Sequence, residues 1–155
     1  GVGGTPAFLV YLTSLQTVSN STATKIALNG KIFDTTGAFD NVTNYRFQPT
    51  VAGYYQVNGC FCPYGNATPE RSFLSLYKNG VEYFRFQDLA VGTGGSVSLQ
   101  FVNQMSGSGL VYLNGSTDYV ELWGWSVWSS GTGQIYPNSG AALFTYFSGY
   151  LVRST

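Results

Sequence analysis

Helical periodicity is nearly absent from this 155-residue chain. No window of about 11 residues or more carries a clean i, i+3, i+4, i+7 apolar stripe built from the long unbranched residues that helices favour. Short runs rich in Val, Phe, Tyr, Leu and Thr recur instead, cut by Gly, Asn, Pro and Ser, and such runs read as strands. They predict strands at 7–13, 25–33, 45–48, 53–61, 72–78, 81–87, 96–104, 109–113, 118–128 and 142–152. Ten short strands in a chain of single-domain size imply an all-β sandwich or jelly roll. One turn is well specified: SFLSLYK and VEYFRFQ flank Asn79-Gly80, which supplies the positive φ angles of a two-residue type I′ hairpin. The longest surface loops are expected at 62–71 and 129–141, and no internal repeat argues for a propeller or β-helix.

The alternation has an unusual property. In 118–128, Tyr119, Glu121, Trp123, Trp125 and Val127 share one face, and Val120, Leu122 and Trp128 the other. In 142–152, Phe144, Tyr146 and Tyr150 oppose Leu143, Phe147 and Leu151. A sheet with one wet face carries polar residues on it, and these two strands are apolar on both faces. A two-layer sandwich has no third layer to cover them, so a second copy of the chain is expected to do so. Trp123, Trp125, Tyr146 and Tyr150 are assigned to that subunit interface; the alternative is the ordinary monomer core. Composition agrees: 26 residues are aromatic and only 9% charged, which leaves little ionic surface for a monomer.

Charge and residue usage exclude several functions. Seven cationic and seven anionic side chains balance, with no basic run, which argues against nucleic acid as a partner. Lack of His removes the commonest general base and zinc ligand, and no Ser or Cys nucleophile motif is present. Glycosidase chemistry needs only two carboxyl groups, but a small jelly roll lacks a long substrate groove. The chain is therefore expected not to be an enzyme and to need no cofactor. Cys60 and Cys62, two apart in a strand-like run, are read as buried free thiols; the alternatives are a vicinal-type disulfide or redox role, and intermolecular pairing. The start has no basic region before a long apolar stretch, so it is no intact signal peptide, and no apolar run approaches the ~20 residues of a membrane helix.

Two kinds of site remain. Tyr64, Asn66, Gln134, Tyr136 and Asn138 in the two long loops offer the aromatic platforms and planar amides that sugar sites use; the alternative is that they are ordinary loop residues. Asp34, Asp40 and Asp118 lie beside Gly/Asn/Thr turns. Carboxylate and carbonyl oxygens can converge there on calcium; the alternative is that they cap local N–H groups. Four Asn-x-Ser/Thr sequons, at Asn20, Asn41, Asn66 and Asn114, weakly favour secretion.

Several segments occur in an order similar to that of C1q-like domains: KIFDTTGAFD, YRFQPTVAGYYQVNGCF, FLSLYKNGVE, GLVYLNGSTDYVELW and FTYFSGYLV. The matching residues are Phe33, Asp34, Pro49, Gly53, Tyr55, Leu76, Asn79, Gly80, Leu113, Asp118, Val120, Leu122, Phe147, Gly149 and Leu151. Ser116-Thr117 stand where that family often has Gly-Asp, so the turn before Asp118 is expected to differ. The resemblance spans residues 6–153 and implies a ten-strand, two-sheet jelly roll shared with tumour-necrosis-factor-like ligands, assembled as a homotrimer. It also implies a recognition or assembly head. The low charge and abundant Asn, Thr, Ser, Gly and Tyr resemble C1q-like domains of phage and bacterial fibre or surface proteins.

The expected organisation is a Gly-rich N-terminal arm at 1–5 and one jelly-roll domain at 6–155. The expected role is a trimeric receptor-binding head at the virion surface or outside the cell, with a host glycan as partner and no membrane insertion. The alternatives are a capsid or fibre decoration protein held by its N-terminal arm to a virion scaffold protein, and a secreted lectin-like module.

Overall fold

The computed structural model describes residues 4–65, 69–90 and 104–155. Those residues form sixteen strand segments and no helix. The chain opens with β1 (Ala7–Tyr11), β2 (Gln16–Val18), β3 (Thr24–Lys25), β4 (Gly30–Asp34), β5 (Phe39–Asp40) and β6 (Arg46–Phe47). The long β7 (Gly53–Phe61) leads through β8 (Pro63–Tyr64) to β9 (Pro69–Lys78) and β10 (Val81–Ala90). Then come β11 (Met105–Leu113), β12 (Val120–Trp128), β13 (Gly133–Ile135), β14 (Asn138–Ser139), β15 (Ala142–Leu143) and β16 (Tyr146–Ser154).

Two antiparallel sheets face each other. One has the order β11-β7-β16-β1-β4; the other runs β10-β9-β12-β6-β5, with β3 also paired to β12. Alternation on each strand sends one set of side chains inward. Phe8 and Val10 of β1, Tyr55, Val57 and Phe61 of β7, and Phe147 of β16 meet Leu74 and Leu76 of β9 and Val120 and Leu122 of β12. Aromatic rings lock one end of this core: Phe8 stacks on Phe47 at 4.3 Å and meets Phe147 edge-on at 5.1 Å. This is the expected two-sheet jelly roll.

Local chemistry explains where the elements begin and end. Asn79 and Gly80 have φ of 53° and 82°, the left-handed pair that a type I′ hairpin requires. In the turn before Asp118, the Asn114 side-chain oxygen accepts from the N–H groups of Ser116, Thr117 and Asp118 at 2.9–3.0 Å. A β-carbon on Gly149 would sit 2.9 Å from the Phe8 ring, so the glycine makes the seat for that ring.

The sequence-based boundaries differ from the structure at several strands: β9 starts at Pro69, β10 runs to Ala90 and β11 starts at Met105. The run 25–33 is two strands, because Ile26 and Leu28 stay buried while the chain crosses between sheets. Ile26 donates to Leu122 O at 3.0 Å, then Leu28 donates to Ile26 O at 2.9 Å and breaks the ladder. The run 142–152 is interrupted where Phe144 and Thr145 both donate to Pro137 O. The two long loops are partly tied down: β8 and β2 flank β13 in a three-stranded ladder. These short ladders raise the strand count above ten. The expected strand at 96–104 lies almost wholly outside the described residues, as does most of the 1–5 arm.

Both ends of the described chain sit at the same end of the sandwich. Ala7 N donates to Thr35 Oγ1 at 2.9 Å, and Thr155 N donates to Ala52 O at 3.1 Å, just before β7 begins. β8 and β13 lie beyond the opposite end of β7, about 30 Å away for nine extended residues.

Candidate functional site

At the end remote from Ala7 and Thr155, β8 pairs with β13, and Tyr64 stands opposite Gln134. Tyr136 N donates to Cys62 O at 2.9 Å, which brings the Tyr136 ring within 5.2 Å of the Tyr64 ring. Thr145 fixes both neighbours, accepting from Cys62 N at 3.1 Å and donating to Tyr136 O at 2.7 Å. Leu15, Tyr64, Gly65, Ser130, Thr132 and Gln134 line a depression of about 430 Å³ here. It offers ring surface, an amide and two hydroxyls, with no charged group in its lining. That lining is suited to an uncharged polyhydroxyl ligand.

Three of the five residues expected in a sugar site therefore come together. Asn138 does not join them: it begins the small β14–β15 ladder, and its Nδ2 donates to Gly140 O at 3.2 Å. Asn66 lies outside the described residues. Leu15, Ser130 and Thr132 were not legible as site residues, because nothing in their local sequence brings the start of the chain against the loop after β12.

The three aspartates considered for calcium are apart, each occupied by its own turn. Asp34 accepts from Ala38 N, Phe39 N and Lys31 Nζ at 2.9–3.1 Å. Asp40 accepts from Val42, Thr43 and Asn44 N–H groups and from the Asn44 amide at 2.9–3.1 Å. Those donors, Thr43 first, lower its pKa to about 2. Asp118 accepts from Asn79 Nδ2 at 2.8 Å, from Asn114 N at 3.1 Å, and pairs with Lys78 at 3.2 Å. Among the described residues no group of three or more His, Cys, Asp or Glu side chains is arranged to hold a metal.

The four residues assigned to a subunit interface fall on two opposite surfaces. Tyr146 and Tyr150 project from the outer face of the β11-β7-β16-β1-β4 sheet, where Tyr150 is 50% exposed. Tyr54, Leu110, Tyr112 and Val152 share that face at 38–57% exposure. The alternation in GLVYL and GYLVR could have disclosed Leu110, Tyr112 and Val152. Trp123 and Trp125 project from the outer face of the other sheet, where the same chain partly covers them. Trp123 stacks on Tyr77 at 4.4 Å and Trp125 on Phe73 at 4.8 Å, both nearly parallel. The Arg85 guanidinium lies 3.8 Å over Phe73, held by Glu82 and Asp88, and Glu121 pairs with Lys25 at 2.7 Å.

Cys60 and Cys62 are free and buried. Burial raises both thiol pKa values, that of Cys62 to about 11, so neither is a ready nucleophile at neutral pH. Two sequon amides are structural glue: Asn20 bridges both backbone groups of Trp128, and Asn114 builds its turn. Among the described residues no helix is long and apolar enough to cross a membrane.

No family model matches the chain, and no curated protein matches it in sequence. Solved structures do match in shape over nearly the whole chain. Murine APRIL superposes with a TM-score of 0.65 at 9% identity, covering 96% of this chain and all of that one. Eiger TNF from S. frugiperda gives 0.61 at 10% identity, covering 98% and 96%. Vertex protein P5 of phage PRD1 gives 0.54 at 15% identity, covering 97% and 100%. At such identities the shared property is the architecture: the chain has the jelly-roll fold of tumour-necrosis-factor-like proteins.

Proposed function

We propose that this chain is the non-enzymatic, homotrimeric head of a virion or surface fibre protein, and that it attaches to a host glycan. The observation that carries the reading is the outer face of the β11-β7-β16-β1-β4 sheet. Tyr54, Leu110, Tyr112, Tyr150 and Val152 lie exposed together there, an apolar surface of the kind that marks a protein contact. Copies of the chain packed by that face would bury these side chains, as obligate interfaces do. The trimer itself comes from the resemblance to C1q-like and tumour-necrosis-factor-like domains. The two ends of the described chain lie at one end and the Tyr64–Gln134 depression at the other, which suits a head held at its base and reading a surface with its tip. A location at the virion surface or outside the cell follows from the same reading.

A decoration protein fixed to a virion scaffold is the second reading, favoured by the likeness to a phage vertex protein. Light scattering and a glycan array test both. The expected result is a mass of three 16.8 kDa chains, glycan binding by the wild type and loss of that binding in Tyr64→Ala. A monomer at micromolar concentration overturns the trimer. A folded trimer that binds no glycan overturns attachment through sugar and leaves the decoration reading standing.

A further inference from the structure

A second depression, of about 370 Å³, lies at the end of the sandwich that holds both ends of the described chain. Its lining includes Thr36, Asp40, Asn44, Arg46, Thr50 and Ser116. All fourteen charged side chains of the sequence are among the described residues. Of the seven cations, Lys25, Lys31, Arg71, Lys78 and Arg85 each pair with a carboxylate. Arg153 sits on the exposed end of β16. Arg46 is different: it is half-buried, lines the depression, and lies 4.3 Å over the Tyr119 ring. A guanidinium stacked on a ring keeps its in-plane N–H donors free for a planar anion. Among the described residues no carboxylate takes them.

We infer that this depression binds a hydroxy-carboxylate such as an acidic sugar, with the ligand carboxylate on Arg46. Asp40 decides between anions. It lines the same depression, and its turn donors keep it ionised down to about pH 2. A fixed negative charge beside Arg46 disfavours a dianion such as sulfate, and both Asp40 oxygens are already taken by the Val42, Thr43 and Asn44 donors. A ligand with one carboxylate pairs with Arg46 at a single negative charge, and Thr36, Thr50 and Ser116 supply hydroxyls to bond its hydroxyl groups. A neutral sugar leaves Arg46 unpaired. The site is separate from the Tyr64 depression, so either can fail alone.

Titration of the whole chain with sodium glucuronate, followed by amide NMR shifts, tests the inference. The expected shifts cluster at Ala38, Thr50 and Ser116, persist in Tyr64→Ala, and weaken with added salt. Arg46→Gln should lower glucuronate affinity roughly tenfold or more, the loss of a charge-assisted bidentate contact, while its melting temperature confirms folding. Should Arg46→Gln not fold, Ser116→Ala, which removes one hydroxyl, should weaken glucuronate and leave acetate unchanged. Glucose should give no shifts at these amides, and acetate and sulfate should bind more weakly than glucuronate. Absence of shifts with glucuronate, equal affinity in Arg46→Gln, or sulfate binding as tightly as glucuronate would each overturn the assignment.

Discussion

At the scale of single residues, several polar side chains do the work of backbone. Asp40 satisfies three consecutive N–H groups and an amide, so Asp40→Ala is expected to cost about 1–3 kcal/mol by urea denaturation at pH 7. Its folded pKa of about 2 lies below the ordinary carboxylate value. The stabilisation is therefore complete above the unfolded value near 4 and is lost as pH falls through about 2. The difference in melting temperature between wild type and Asp40→Ala should shrink over that window. Gly149 works through absence: its missing β-carbon leaves space for Phe8. Gly149→Ala should cost about 1–3 kcal/mol as an overpacked core position. Among the described residues the buried indole Nε1 of Trp128 has no hydrogen-bond partner. Trp128→Phe removes that orphan and keeps most of the ring, so its cost should fall below the about 3–5 kcal/mol of truncating a buried aromatic to Ala.

At the scale of elements, β11 and β12 show how tertiary context overrides local preference. MSGSG at the start of β11 has poor strand propensity, yet it pairs with β7 throughout. Gly107 and Gly109 lie where a β-carbon would collide with Phe86 and Phe84 of β10. The two glycines thus let β10 close over the sheet edge. In β12 the inward face enters the core, and the outward Trp123 and Trp125 rest on Tyr77 and Phe73 of β9. A double-mutant cycle on Tyr77 and Trp123 should give a coupling of about 0.5–1.5 kcal/mol. If β9 supplies this cover within one chain, that coupling will not vary with protein concentration.

At the scale of the whole molecule, the two outer surfaces have different chemistry. One carries stacked rings laced with ion pairs, the other Tyr54, Leu110, Tyr112, Tyr150 and Val152 with little charge. Self-association through the second predicts a melting temperature that rises with protein concentration. Tyr150→Glu should abolish that dependence and release the 16.8 kDa chain in light scattering. Trp125→Ala should lower stability without changing mass. The sequence grouped Trp123, Trp125, Tyr146 and Tyr150 because each strand is apolar on both faces. Strand periodicity specifies which residues share a face but not which sheet the strand joins, so it could not separate the pairs.

The fold class was legible because it rests on local physics: period-two alternation, a type I′ dipeptide, and glycines at strand boundaries. The Tyr64–Gln134–Tyr136 cluster was partly legible because its members lie in the two loops that the turn residues mark. The rest depends on contacts between distant segments. Only the folded chain brings Leu15 beside Thr132, lays Arg46 over Tyr119 without a carboxylate, and separates the three aspartates into turns of their own. Composition and periodicity determined that this chain would build twisted antiparallel sheets with more apolar surface than one core can hide. The three-dimensional packing decided where the excess goes, because covering a surface depends on which elements become neighbours and not on their order along the chain.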